Sequence, residues 1–507
     1  MSAPSASNAG VRTQHREYRQ NIEKWRKIRK VLNADCKDLL RNVGENEPDK
    51  KYGEQRQREY ADGAIFYNFT KRTLSGMVGA VMRKPPEVIL PDAAKYLLKN
   101  TDGAGIGLIQ HAQNTLKEID SMGRGLLLVD APTTEAATMA EKNAGLLNSR
   151  VIFYAAESII NWHKEKKGST DVVTQVVLSE PYEYQNSANE FEWLTGEVVR
   201  VLEIVDNKYR QRVFKFDNAG AQVETAELIE PRFNKSPIDY IPAVFVGADS
   251  NTESVDASPL DTLVDVNIGH YQNSADYEDA VHVLGQGSLF MYPGERMTTS
   301  QLMEANPNGI RLGCRTAYNL GYGGRAELVQ LSERPALLTA METKENQAVM
   351  IGAQLITPTQ QITAESARLQ RGADTSIMAT IAQNVSEAYE QCIRWVCLFA
   401  GVKFPEDIED ESKEKEICFE LNTEFFLQQM TAQDRSAWIA DINAGLLPAR
   451  AYYAAARSAG VTNWSDDEIE QELERQPPAA APAMDTNVTG EIPSTPTDSQ
   501  QNNEAQQ

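Results

Sequence analysis

Apolar residues recur at helical spacing in several parts of the chain. Tyr18, Ile22, Trp25 and Leu32 share one face of a segment that begins near Arg12, which predicts an amphipathic helix. The eight Lys and Arg residues from Arg12 to Lys30 fall on the opposite face, where a solvated surface is a simpler reading than a nucleic-acid patch. Phe66, Tyr67, Leu74, Met77, Val78 and Val81 repeat the pattern between Tyr60 and Arg83. "KPP" at Lys84 to Pro86 ends it, because proline cannot continue a helix. A third helix is predicted from Ile106 to Met122, followed by a Gly123/Gly125 turn and a buried strand at Leu126 to Val129. These glycines precede the strand, whereas a dinucleotide fingerprint needs them after a strand and opening a helix.

The period then changes. "VVTQVVL", "EVVRVLEIV" and "YRQRVFKF" are β-branched runs, the last two joined by Asp206 to Lys208 as a hairpin. Pro259 opens another helix, on which Leu263, Val266, Tyr277, Val281 and Leu284 form a stripe and Gly285 and Gly287 mark the end. A mixed region with turns at Pro293-Gly294 and Asn308-Gly309 follows. Helices resume at Pro335 to Leu355 and from Thr363 to Ala400; the second is about 55 Å long if unbroken, with Gly372 as the expected kink. Met378, Ile381, Val385, Ala388, Cys392, Val396 and Phe399 form its stripe, and Cys397 faces elsewhere. A strand "ICFEL" and small helices to Glu474 complete the folded part. Residues 1–11 are expected to be disordered, as are Gln476 to Gln507, with five prolines and no Lys or Arg. Helices and strands in separate runs define an α+β fold class.

Charge alters this picture in one place above all. The 507-residue chain carries a formal charge of −22, which disfavours a general phosphate-gripping surface. Between Lys235 and Arg296 there is no Lys or Arg, yet ten carboxylates. Asp261, Asp265, Asp276, Glu278 and Asp279 lie on the helix after Pro259 and largely off its stripe. A solvated acidic face is the simplest reading; a divalent-ion site is the alternative, although Asp276 and Glu278 are not helix neighbours.

Other chemistry is sparse. There is no GxxxxGK[ST], GxSxG or HExxH. The five histidines are scattered, and His270 and His282 point about 120° apart on one helix, so no metal site and no cofactor is expected. Cys36, Cys314, Cys392, Cys397 and Cys418 lack a CxxC pair, consistent with free thiols in a reducing compartment. No apolar run approaches the ~20 residues of a membrane helix.

The order of segments resembles a family. "GRGLLLVDAP", "YAAESIINW", "PLDTLVDVNIGHYQNSADYEDAVHVLGQGSLFMYPG" and "ITAESARLQRGADTSIMATIAQNVSEAYEQCIRWVCLFAGV" together look like a tailed-bacteriophage portal protein, in a group catalogued as a domain of unknown function. The resemblance covers about Arg16 to Glu474. It implies a portal-like fold: a wing with α/β and β-rich parts at 12–257, a stem helix at 258–284, and a clip with a returning stem element at 285–313. A channel loop and long kinked wing helix at 314–401, a helical crown at 402–475 and a tail at 476–507 would follow. The returning stem element would be the short segment Thr298 to Asn306.

The resemblance also implies function. The protein would be a non-enzymatic homo-oligomeric ring, a dodecamer, assembled in the host cytoplasm and resident in the virion at the capsid portal vertex. Double-stranded DNA would be packaged and ejected through it. Large terminase, a head-tail adaptor and the major capsid protein would be its partners, with no membrane. Ser332, Glu333 and Arg334 would form the DNA-channel loop. Asp261, Asp265, Asp276, Glu278 and Asp279 would line the channel, keeping DNA from being gripped, while the apolar stripe packs on a neighbouring stem. Phe290, Tyr292, Glu295 and Arg296 would contact the adaptor. Readings of another class are a metal-dependent nuclease built on Asp276, Glu278 and Asp279, and a scaffold or minor capsid protein without a channel.

Overall fold

The structure of the protein, a computed structural model, describes residues 8–131, 148–186, 189–223, 226–233, 236–284, 288–295, 297–306, 319–329, 335–356, 364–402, 417–423, 432–458, 461–462 and 464–475. It forms two compact units, Met1–Phe425 and Phe426–Gln507. The fold is mixed helix and sheet, in agreement with an α+β class.

The larger unit begins with helices α1 (Arg16–Asn33), α2 (Lys50–Gly63) and α3 (Phe69–Val81). The His15 ring nitrogen accepts from the Glu17 amide at the start of α1, and Ala34 ends it in a left-handed conformation. Ile22 and Trp25 sit on its buried face, and the Trp25 indole donates to the Met122 carbonyl at 3.2 Å. The single helix expected between Tyr60 and Arg83 is instead split between α2 and α3. Asn68 caps α3 by accepting from the Lys71 amide, a local bond that competes with continuation of the helix.

Strand β1 (Glu87–Ile89) leads to α4 (Leu108–Met122) and then β2 (Arg124–Asp130). Gly123 joins them at φ +77°, and a Cβ there would collide with the Ala257 carbonyl, so the turn requires glycine on both counts. Beyond β2 come β3 (Arg150–Ala155), β4 (Ile159–Lys167), β5 (Thr170–Asn186), β6 (Asn189–Val205), β7 (Lys208–Phe216) and β8 (Glu227–Ile229). Short strands β9 (Arg232–Phe233) and β10 (Ser236–Pro237) precede β11 (Ala243–Gly247). Three antiparallel sheets result: β11-β2-β3, the short β9–β10 pair, and a five-stranded meander in sequence order from β4 to β8. The β6–β7 hairpin turns at Asp206 and Asn207, both at positive φ, the backbone that matches the twist of paired strands.

After helix α5 (Asp261–Leu284) come strand β12 (Ser288–Tyr292), helix α6 (Thr299–Ala305), strand β13 (Arg325–Val329), helix α7 (Pro335–Ile356) and helix α8 (Ala364–Phe399). Gly372 lies within the continuous helix α8. Cys392 and Cys397 are both buried, so the expectation that Cys397 faces away from the core is corrected. The reason is that α8 is covered on several sides, by α4, β2 and β11 and by the later strand β14 (Cys418–Glu420). Tyr389 on α8 bonds to His111 at 2.5 Å and Thr115 at 2.9 Å on α4, and its ring lies 5.0 Å from that of Phe419.

Strand β14 pairs with β1, Val88 opposite Phe419. The expected "ICFEL" strand thus lies in the larger unit, which ends at Phe425 rather than near residue 402. The smaller unit holds α9 (Ala432–Asn443), α10 (Ala449–Ser458) and α11 (Asp466–Arg475). Arg450–Glu470 at 2.9 Å and Arg457–Asp466 at 2.5 Å tie the last two together. The expected disordered segment 476–507 lies outside the described residues, as do residues 1–7; of the expected disordered segment 1–11, the part from Asn8 on instead forms a 3-10 helix, Asn8–Arg12.

Candidate functional site: an acidic helix and a small β-unit

Helix α5 is entered through Ser258, whose hydroxyl donates to the Ser121 carbonyl at 2.5 Å and accepts from the Leu260 amide at 3.1 Å. Its buried positions are Leu263, Val264, Asn267, His270, Tyr271, Ser274 and Ala275, a helical face at spacings of three and four. Leu263 was expected on that face. Val266 and Tyr277 are only half-buried and Val281 is exposed, so the predicted stripe is rotated from the actual buried face.

Polar groups account for the rotation. Asn267 accepts from the Thr70 amide and hydroxyl at 3.2 and 3.0 Å and donates to the Tyr67 carbonyl at 2.7 Å. Ser274 accepts from the Ile65 amide at 3.2 Å. These bonds satisfy the irregular backbone between α2 and α3, which would otherwise be left unpaired against α5. A search for apolar periodicity alone misses Asn267 and Ser274.

The partner running along α5 is α7. His270 Nε2 lies 3.2 Å from the Glu345 carboxylate, and its ring meets Tyr67 and Phe69 edge-on. Lys344 passes over Gly269, where a Cβ would come within 2.8 Å of its side chain. The short segment expected as the returning stem element forms the helix Thr299–Ala305, between β12 and β13 in the chain. Its seven residues are held by a capping box of Thr298 and Gln301.

The acidic residues are not left without counter-charge. Lys27 on α1 reaches Asp265 at 2.5 Å. Arg41 pairs with Asp276, which also accepts from the Tyr60 hydroxyl at 2.7 Å. Arg56 on α2 grips both oxygens of Asp279 at 2.6 Å. Burial, and then the bond to Asp276, push the Tyr60 phenol above its usual range. Asp261 and Glu278 make no ion pair with any described residue. The local absence of Lys and Arg is thus compensated from the N-terminal segment that holds α1 and α2, more than 220 residues away in sequence. The same pairing disfavours a metal site on Asp276, Glu278 and Asp279, since two of these carboxylates already hold guanidinium groups. Among the described residues no group of His, Cys, Asp or Glu is arranged to hold a metal ion.

The Arg56–Asp279 clamp is testable. Arg56→Ala is expected to destabilise the protein by about 1 kcal/mol, and a double-mutant cycle with Asp279→Ala to return coupling of similar size. Coupling near zero in denaturant melts would mean that the pair does not hold α2 to α5.

The β-unit after α5 is built on β12 and β13, with Phe290 opposite Glu327 and Tyr292 opposite Arg325. Arg325 lies 5.1 Å from the Tyr292 ring. Asn306 closes the unit: its amide donates to the Asn319 carbonyl and its oxygen accepts from the Asn319 amide, each at 3.1 Å. Gly294 donates to the Leu320 carbonyl at 2.9 Å and lies so close to Tyr322 that any side chain would clash. Phe290 and Tyr292 are exposed, and Glu295 lines a surface depression with Met297, Gln301 and Tyr322. Strand β13, at Arg325–Val329, pairs with β12 and lies outside the segment 285–313 expected as a clip. Arg296, and the expected loop residues Ser332, Glu333 and Arg334, lie outside the described residues.

The described cysteines Cys36, Cys392, Cys397 and Cys418 are buried free thiols, and burial pushes Cys36 and Cys397 up to about 11, far from a reactive thiolate. Among the described residues no helix is long and apolar enough to cross a membrane.

Residues 259–400, from just before α5 to just after α8, match the model of a family described as a domain of unknown function, DUF4055. Among solved structures the chain is similar to one described as "Neck of empty GTA particle computed with C6 symmetry", at 16% identity and a TM-score of 0.37. That similarity covers 74% of this chain and 86% of the other, and at this level it carries no functional inference. No curated protein matches.

Proposed function

We propose that this chain is a subunit of a tailed-bacteriophage portal, a closed, non-enzymatic ring at one capsid vertex through which double-stranded DNA is packaged and ejected. The observation that carries the reading is the order of segments from Ser258 to Ala400: an acidic helix, a small β-unit, and two long helices. That order is the most specific part of the sequence resemblance. In this reading α5 and α7 form the stem, β12, α6 and β13 the clip, and α9 to α11 the crown. Asp261 and Glu278 then supply the unneutralised charge on the stem helix, repeated by the symmetry of the ring. Phosphates are not gripped there, because each neutralised phosphate would add binding energy to be broken at every step of translocation. Phe290, Tyr292 and Glu295 are the contacts offered to the head-tail adaptor and terminase, and the loop at Ser332, Glu333 and Arg334 is assigned to the channel.

Negatively stained images of the purified protein are expected to show rings with a central hole. A monomer at all concentrations would overturn the reading, and a holeless assembly would favour a scaffold or minor capsid component. Cleavage of plasmid DNA in the presence of Mg²⁺ would instead restore the nuclease alternative.

A further inference from the structure

Strands β5 and β6 extend well past their neighbours. Pairing with β4 ends at Leu178 and pairing with β7 at Glu197, while β5 and β6 remain paired to Asn186 and Asn189. Among the described residues no further strand flanks this ribbon, which reaches about 20 Å beyond the sheet at ~3.3 Å per residue.

Its two faces differ. On one, Tyr182 covers Gly196, Leu194 is half-buried, and the Tyr184 hydroxyl accepts from the Asn218 amide at 3.2 Å. The opposite face carries Glu183, Gln185, Phe191, Trp193 and Thr195, all exposed, with Gln185 directly opposite Trp193 and Glu183 opposite Thr195. Phe191 is 85% and Trp193 61% exposed. Two large aromatics on one projecting face mark an unfilled contact, since exposed apolar residues are ordinarily scattered singly. The ribbon is also acidic without counter-charge: no Lys or Arg occurs between Lys167 and Arg200, Glu183 lies on the aromatic face, and Glu190 and Glu192 alternate onto the other.

The same chain offers a complementary surface. Between α2 and α3, Ile65 and Tyr67 are 46% and 48% exposed. Lys71 and Arg72 follow on the first turn of α3, exposed and in no ion pair with a described residue. Copies of a chain carrying −22 charges repel one another, so a contact between them needs an acidic segment set against a basic one.

We propose that the Phe191/Trp193 face of the β5–β6 ribbon docks on the Ile65, Tyr67, Lys71 and Arg72 surface of a second copy of this chain. The two surfaces differ, so the contact is head-to-tail and propagates from copy to copy until a rotation closes it. It rests on the ring reading for its closure but not for its chemistry.

The test follows the assembly of the full chain by light scattering across concentration. Phe191→Ser/Trp193→Ser, Glu183→Lys and Lys71→Glu/Arg72→Glu are each expected to raise the concentration for half-assembly at least about tenfold. Their thermal melts should stay unchanged, because every altered side chain is exposed. Combining the two charge reversals in one chain is expected to recover most of the loss. Reversals that assemble like the parent, or a combination that recovers nothing, would overturn the docking. If those variants fail to weaken a parent that does form closed rings, the docking is wrong and the ring reading stands. If the parent forms only open or small oligomers that the reversals dissolve, the docking stands and the ring reading falls. A parent that is monomeric throughout removes both.

Discussion

The stability advantage of Asp120→Asn over the parent protein is expected to widen steadily between pH 5 and pH 8. Asp120 lies on α4, 1% exposed, and its Oδ2 has no hydrogen-bond partner. Burial pushes its carboxyl from an ordinary 3.8 up to about 8, because a charge without partners is costly away from water. The folded state holds this proton more tightly than the unfolded chain. Stability is therefore fullest below about pH 4 and declines as pH rises toward 8, where the folded carboxyl finally ionises. The slope is at most about 1.4 kcal/mol per pH unit for one group, so the accumulated difference reaches several degrees in melting temperature. Asparagine keeps the shape and removes the ionisation. Melting curves for the two proteins that shift in parallel from pH 5 to pH 8 would mean the carboxyl is not held protonated.

Replacing Arg124 should separate packing from charge. This residue opens β2 and is 1% exposed, yet none of its three guanidinium nitrogens has a hydrogen-bond partner among the described residues. Its guanidinium instead lies 3.9 Å from the Trp162 ring and 5.0 Å from the Phe245 ring, and the Trp162 ring meets that of His15 at a 32° tilt, 3.9 Å between centroids. Burial pulls its pKa down to about 10, so the site tolerates the cation rather than requiring it. Arg124→Ala leaves a cavity between two aromatic rings and is expected to cost about 3 kcal/mol. Arg124→Met fills most of that space without a buried charge and is expected to stay within about 1 kcal/mol of the parent, or to exceed it. If methionine proves as damaging as alanine in chemical denaturation, the cation–aromatic attraction, and not the packed volume, holds β2 in place.

Much of the secondary structure was legible from short-range patterns. Apolar spacing located α1, α5 and α8, β-branched runs located β5 to β7, and glycine identified the α4–β2 turn. What failed did so where a polar group took a core position. The buried face of α5 carries Asn267, His270 and Ser274, which an apolar stripe does not count, so the helix was placed with its rotation wrong. The break between α2 and α3 depended on one capping bond at Asn68, weaker as a signal than the apolar residues around it. The strand Arg325–Val329 that pairs with β12 escapes the pattern because it follows a glycine-rich stretch that reads as a turn.

The amino-acid sequence by itself determined the α+β class, the helical and strand periods, and the concentration of carboxylates from Asp239 to Glu295, since each depends on residues close together in the chain. Tertiary structure alone decided what those carboxylates meet. Lys27 on α1, Arg41 in the α1–α2 connection and Arg56 on α2 reach Asp265, Asp276 and Asp279, and α7 rather than α6 lies along α5. Charge is a local property of sequence, but its neutralisation acts over a few ångströms of space, and no pattern of spacing records which distant segments fold to within that range.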